Sequence, residues 1–162
     1  MIWGCFRGSK LGPLYFVERT MDSQEYINVL ESKLKPFYER YDESIFQDDS
    51  APCHRSTLVN KWKAENSIRE LTWPGYSPDL NPIEHLWAFM KKKVVLKCPY
   101  NKKTLIDAIK IVWENEIPET LLENLSRSME SRIAECIKAN GFSTKYILVI
   151  DLIFNETCFP NQ

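Results

Sequence analysis

The sequence predicts an α/β or α+β domain, and three observations lead to this prediction. Short β-prone runs alternate with amphipathic stretches in the first half of the chain, and amphipathic stretches alone follow. The 162 residues suit one domain with a sizeable core. Hydrophobic residues make up 44% and charged residues 27%, a composition typical of globular proteins that excludes a disordered chain.

The predicted elements follow from local patterns along the chain. Two strands, over residues 1–6 and 14–18, are joined by a turn over residues 8–13 that contains two glycines and a proline. Asp22 and Ser23 begin a helix whose apolar residues recur at helical spacing as far as Phe37. The remaining elements are a strand at 44–47, a helix at 56–66, a strand at 68–73 and helices at 84–96, 103–116 and 119–139.

A proline-rich loop over residues 74–82 precedes the third predicted helix. Asn81 suits the N-cap position, Pro82 the first helical position and Glu84 the third. Asp79 is predicted to stiffen this loop as a structural residue.

Charge, cysteines and hydropathy exclude several classes of protein. The net charge of -1 gives no overall basic character, so nucleic-acid contact would need a local patch. Five scattered cysteines without a C-x-x-C pair argue against a disulfide framework or zinc site and for a reducing compartment. We find no signal peptide, and the apolar run at 147–150 is too short to span a membrane. A soluble intracellular protein without a membrane partner is expected.

Two carboxylates stand where phosphodiester chemistry would need them. Asp49 ends a predicted strand and Glu84 lies in the first turn of a helix. Divalent metals that activate phosphodiester attack prefer hard oxygen ligands held by rigid elements. Considered singly, Asp49 could instead form an Asx-turn with the following residues, and Glu84 could be a capping-box residue.

The two blocks around these acids closely resemble those of a known family. FQDDSAPCH (residues 46–54) and WPGYSPDLNPIEHLW (residues 73–87) are similar to the blocks around the second and third acids of mariner-type DDE transposases. The 34 residues between Asp49 and Glu84 match the branch whose third acid is Glu. The resemblance extends upstream through MIWGCF and GPLYFVE and downstream to GFSTKY at residues 141–146.

The resemblance implies a fold, a chemistry and partners. The fold would be a ribonuclease-H-like mixed sheet flanked by helices over residues 1–146, with a tail at 147–162 outside the family pattern. Asp49 and Glu84 would be catalytic residues and ligands of Mg²⁺ or Mn²⁺. DNA would be the substrate, a second copy or a full-length transposase a further partner, and the nucleus the location. No small-molecule substrate is implied.

The chain also departs from the family pattern. The family's first strand and the acid on it precede the part represented here, so we expect an incomplete acidic triad and no DNA strand transfer by the chain alone. Asp48 stands where Gln is common, and its charge is expected to raise a carboxylate pKa. Cys53 and His54 are interpreted as structural.

A local excess of lysine follows Glu84. Residues 91–110 contain seven lysines against one acid, Asp107. The DNA-contacting residues predicted from this run are Lys91, Lys92, Lys93 and Lys97. The alternative is a solvated helix surface.

Other functions and one structural hypothesis stay open. The chain could be a non-catalytic nucleic-acid-binding or dimerisation module derived from a degraded transposable element. Alternatively, the true gene could start upstream, with Met1 an internal methionine. The β-prone residues 146–154 could dock as a strand beside residues 1–6 and 44–49, with Asp151 facing Asp49.

Overall fold

An antiparallel hairpin opens the chain in the computed structural model, which describes residues 1–41, 43–71 and 77–146. Its strands are β1 (Ile2–Arg7) and β2 (Lys10–Phe16). The turn between them is shorter than the predicted 8–13. Gly8 takes a positive φ of 56°, which lets the chain reverse within two residues.

Six α-helices are described, and their bounds agree with the periodicity of the sequence. Residues 23–38 form one helical stretch that contains a π-helical segment, Leu30–Leu34, and is capped by the Asp22 side chain. The helices are α1 (Ser23–Val29), α2 (Lys35–Tyr38), α3 (Thr57–Glu65), α4 (Ile83–Val95), α5 (Lys102–Asn115) and α6 (Glu119–Lys138).

The start of α4 differs from its prediction. Pro82, not Asn81, is the N-cap residue, and no side chain caps this end. Asn81 is buried after the short 3₁₀ turn Pro78–Leu80, and its carbonyl accepts the backbone N–H of Glu84 at 3.2 Å. The predicted Asn81 cap is therefore wrong, and the capping-box alternative for Glu84 is wrong with it.

Where strands are predicted at 44–47 and 68–73, the described residues form one parallel bridge, between Phe46 and Glu70. The N–H of Phe46 donates to the carbonyl of Arg69 at 2.7 Å, and the N–H of Leu71 donates to the carbonyl of Phe46 at 2.9 Å. Residues 72 and 73 lie outside the described part of the chain, as do residues 147–154 of the tail strand that the sequence suggested. Within that part, no other strand pairs with Phe46, so the ladder ends after one bridge.

Two hydrophobic cores lie on opposite faces of β1, because successive side chains of a strand point to opposite faces. Ile2 and Phe6 pack against the core built by α4, α5 and α6. Trp3 and Cys5 pack against the core built by residues 26–34, Phe46 and Val59. The result is an α/β domain with helices on both faces of a small sheet.

Gly4 lets β1 approach the first of these cores closely. Trp87 and Trp113 stack with ring centroids 5.6 Å apart. A Cβ at Gly4 would lie 2.7 Å from Trp113 and 3.0 Å from Trp87, so a larger residue would push the strand away. None of the described helices is both long and apolar enough to cross a membrane.

Candidate metal centre

The carboxylate of Asp48 forms a buried ion pair. Its Oδ2 lies 2.9 Å from the ammonium of Lys63, which also contacts Glu70 at 2.6 Å. The side chains of Asp48 and Lys63 are only 7% and 4% exposed. Asp48 also accepts a hydrogen bond from the hydroxyl of Tyr26. These partners give Asp48 a structural role and make it a poor metal ligand.

Asp49, the next residue, is 56% exposed. Its Oδ1 accepts the N–H of Ala51 at 3.0 Å, which is the Asx-turn that the sequence allowed. The same oxygen lies 2.7 Å from His54 Nδ1. Within the described residues, Oδ2 of Asp49 has no hydrogen-bond partner.

His54 belongs to the site, although the sequence assigned it only a structural role. Its ring stacks on Tyr26 with centroids 3.8 Å apart, and the side chain is 13% exposed. The contact with Asp49 is bent, since among the described residues Nδ1 has no acceptor at hydrogen-bond angles. It is therefore a close contact and not an aligned hydrogen bond. One ligand atom each from Asp48, Asp49 and His54 lie within 4.8 Å of one another.

Because of the His54 imidazole, the pKa of Asp49 differs from the one that the sequence predicted. The close contact with His54 lowers the pKa of Asp49 below the ordinary value, against a smaller opposing effect of burial. The predicted rise from Asp48 is wrong for Asp49, because Lys63 already compensates the Asp48 charge. One sequence signal could have predicted that His54 lies beside Asp49. His54 belongs to a short turn, residues 51–55, that closely follows Asp49 in the chain.

Glu84 lies on the same two cavities as Asp49. One has a volume of about 570 Å³ and the other about 330 Å³. Burial first, and the charge of Asp49 second, raise the pKa of the Glu84 carboxyl. The raised folded-state pKa means that ionising Glu84 costs stability. The contribution of Glu84 to the free energy of unfolding is therefore most favourable below its ordinary pKa of 4.5. This contribution is lost as the pH rises through the raised pKa of the folded state.

Two sets of contacts bring these acids together from distant segments. Gln47 Nε2 donates to the Leu80 carbonyl at 3.3 Å, tying the Asp49 segment to the loop before α4. Arg132 is 1% exposed and donates to the carbonyl of Asp79, and it lies 3.1 Å from His85 Nδ1. The buried carboxylate of Asp79 accepts the N–H of Thr144 at 3.0 Å. Asp79 thus has the structural role expected of it.

The four predicted DNA-contacting lysines are arranged unevenly. Lys92 is exposed on α4. Lys93 lies 3.8 Å from Glu116, and Lys97 forms a close ion pair with the same carboxylate. Lys91 also makes an interaction within the protein. Part of the predicted positive charge is therefore compensated by Glu116, the residue that follows α5.

Comparison with known proteins identifies the family of the chain. The family model for the DDE superfamily endonuclease matches residues 2–106, well over half of the chain. The chain belongs to the DDE endonuclease superfamily. The predicted resemblance to mariner-type transposases is confirmed, since relatives of the Tc1 and mariner type match it.

These relatives are transposases of transposable elements. The chain is 35% identical to the Tcb2 transposase of Caenorhabditis briggsae over 148 residues, which is 90% of this chain and 54% of the relative. It is 36% identical to the Tc3 transposase of Caenorhabditis elegans over 150 residues, which is 90% of this chain and 45% of the relative. The chain spans about half the length of the curated relatives it matches.

Solved structures confirm the fold class. The catalytic domain of Mos1 transposase, in a structure with Raltegravir and Mn, has a TM-score of 0.75 and 19% identity, covering 89% of this chain and 76% of that chain. A Mos1 mariner paired-end complex with Mn has a TM-score of 0.68, covering 86% of this chain and 43% of that chain. The DDE domain here therefore has the ribonuclease-H-like fold predicted from its motifs, with a smaller sheet than expected.

We predict that the Lys63→Ala substitution strongly destabilises the domain. Removal of the ammonium leaves the buried Asp48 carboxylate without its cation, which typically costs about 3–5 kcal/mol. Urea unfolding of the purified chain measures the free energy of unfolding. Lys61→Ala on the same helix is the matched control, because Lys61 is 71% exposed. A loss for Lys63→Ala no larger than for the control would contradict the role of the ion pair.

Proposed function

We propose that the chain is a DDE transposase catalytic-domain fragment that retains a divalent-cation site at Asp49 and Glu84. One observation carries the proposal: both carboxylates line the same cavity, where burial and then the charge of Asp49 raise the pKa of Glu84. A cation bound between the two carboxylates would offset the unfavourable charge of an ionised Glu84 beside Asp49. Family membership supports the same assignment.

The residues of the cavity fit Mg²⁺ or Mn²⁺. Both ions prefer oxygen ligands and are commonly held by one or two carboxylates, with water completing the shell. Asp49 would contribute Oδ2, since Oδ1 is engaged by Ala51 and His54. Glu84 would contribute a carboxylate that makes no hydrogen bond within the described residues. When bound in such sites, the ion polarises a phosphodiester and activates the attacking oxygen.

Other residues of the chain would hold the carboxylates of Asp49 and Glu84 in position. The Lys63–Asp48 pair fixes the backbone beside Asp49, and His54 keeps Asp49 ionised by lowering its pKa. Arg132 holds the loop from which α4 and Glu84 begin. These contacts position ligands, but they add no third free carboxylate. We therefore propose that residues 1–162 alone do not carry out strand transfer.

DNA is the proposed partner, and the nucleus the proposed location. The relatives are transposases, and Mos1 was solved in paired-end and strand-transfer complexes. Lys91, Lys92, Lys93 and Lys97 would contact phosphates from the helix that carries Glu84. A second copy or a full-length transposase as a further partner stays a proposal of the same kind.

The first test of the cation site is Mn²⁺ binding, measured by the loss of the free-ion electron paramagnetic resonance signal. Asp49→Asn and Glu84→Gln are each expected to raise the Kd for Mn²⁺ by about tenfold or more, because each removes an ionised oxygen ligand. Glu114→Gln removes one carboxylate from the exposed face of α5 and should leave the Kd unchanged. Equal binding by all four proteins would refute the site.

The second test is DNA cleavage. Transposon-end DNA incubated with the chain and Mg²⁺ is expected to stay intact on a denaturing gel, because two carboxylates cannot complete a two-metal arrangement. Binding of Mn²⁺ without cleavage is thus the combined expectation. Cleavage by the chain that disappeared in Glu84→Gln would show that the proposed inactivity is wrong.

The third test concerns the lysines. The triple variant Lys91→Ala, Lys92→Ala, Lys93→Ala should flatten the salt dependence of duplex DNA binding, by a slope of roughly 0.9 for each lost phosphate contact. Lys33→Ala, Lys61→Ala, Lys138→Ala changes the net charge equally at other places on the surface and serves as the control. Fluorescence anisotropy over a salt series gives the slopes. Identical slopes for the two triple variants would show that Lys91, Lys92 and Lys93 do not contact the DNA.

A further inference from the structure

Two residues on one face of α1 contact the short turn that contains His54. Ser23 and Tyr26 are three residues apart, so their side chains lie on the same side of the helix. The Ser23 hydroxyl donates to the carbonyl of Cys53 at 3.3 Å. The Tyr26 ring stacks on the His54 ring, with centroids 3.8 Å apart and planes inclined by 24°. Two consecutive residues of the turn are therefore held by one helix face.

Tyr26 also contacts the residue that precedes Asp49. Its hydroxyl donates to Oδ2 of Asp48 at 3.3 Å, and the same carboxylate is paired with the ammonium of Lys63. The Tyr26 side chain is fully buried and belongs to the core that packs against Trp3 and Cys5 of β1, so its own position is fixed by packing. One rigid side chain thus contacts both Asp48 and His54.

The side chain of Asp49 lies between these two contacts. It is 56% exposed, and its Oδ1 contacts the N–H of Ala51 and Nδ1 of His54. An exposed carboxylate that binds a cation loses rotamer freedom, and this loss is smaller where neighbouring groups already restrict the side chain. His54 can restrict Asp49 only if its own ring is fixed, and the Tyr26 ring is the surface on which it stacks.

We propose that Tyr26, together with Ser23 on the same face of α1, positions the cation ligand Asp49 through the His54 ring. The inference rests on the cation site proposed above. Groups that orient a metal ligand without touching the metal commonly change metal affinity by about 10–100-fold when they are removed. Tyr26 lines the same cavity of about 570 Å³ as Asp49, His54 and Glu84, so it acts beside the site itself.

Mn²⁺ binding to the full chain, measured by the free-ion electron paramagnetic resonance signal, tests two replacements of Tyr26. Tyr26→Met fills the space without a ring face and should raise the Kd about fivefold or more. Tyr26→Phe keeps the ring and should leave the Kd within about twofold of the unmodified chain. The matched control is Leu30→Ala, because Leu30 is equally buried in the same core.

Leu30→Ala is expected to lower the free energy of unfolding and to leave the Kd for Mn²⁺ unchanged, since it creates a cavity away from the ligand. Urea unfolding of each variant is measured beside the Kd. A Kd for Tyr26→Met no higher than for Leu30→Ala would overturn the proposal.

A double variant separates positioning from general damage to the core. If Tyr26 acts through His54, adding Tyr26→Met to His54→Gln should raise the Kd no further than His54→Gln alone. Full additivity of the two effects on the Kd would contradict this route and the proposal with it.

Ser23→Ala keeps the proposal testable if Tyr26→Met fails to fold. It removes one hydrogen bond to the turn and should raise the Kd about threefold. The matched control is Gln24→Ala at the neighbouring exposed position, which should leave the Kd unchanged. Equal Kd values for these two variants would refute the role of this helix face.

The outcomes distinguish this inference from the cation site itself. An unmodified chain that binds no Mn²⁺, or an unchanged Kd in Asp49→Asn, would overturn both. A raised Kd in Asp49→Asn with an unchanged Kd in Tyr26→Met would leave the cation site standing and overturn only the role of Tyr26.

Discussion

The buried ion pair between Lys63 and Asp48 is the interaction on which the rest of the site depends. Burying two charges is expensive unless they are paired at short distance and further hydrogen-bonded. Both conditions hold here, since Lys63 also contacts Glu70 and Asp48 accepts from Tyr26. The pair joins α3 to both segments of the single parallel bridge. It keeps the Asp48 side chain buried, whereas the side chain of the neighbouring Asp49 is 56% exposed.

The two outward carboxylates have opposite electrostatic environments. Asp49 has a lowered pKa because of His54, whereas Glu84 has a raised pKa because of burial and the nearby Asp49 charge. One acid is thus readily ionised, and the other gains most from a cation that removes the repulsion. This asymmetry follows from the surroundings of each carboxylate, and the two residue types alone do not determine it.

β1 is the strand that connects the two hydrophobic cores of the domain. Alternate side chains of this strand belong to two different cores, and Gly4 allows close contact with the stacked Trp87 and Trp113. Residues of this strand also line the cavity that contains Asp49 and Glu84. β1 is therefore in contact with both cores and with the surroundings of the two carboxylates.

The sequence by itself determined the helices, the opening hairpin and the family, because helical periodicity and the blocks around Asp49 and Glu84 are local patterns that need no tertiary context. It could not predict the helix start at Pro82, because Asn81 is buried by contacts distant in sequence. Nor could it separate Asp48 from Asp49 or bring in His54, since Lys63, Tyr26 and the turn at 51–55 meet only in the folded chain. The reduced strands at 44–47 and 68–73 were likewise decided by tertiary structure, because a β-prone run becomes a ladder only where a neighbouring edge supplies its hydrogen bonds.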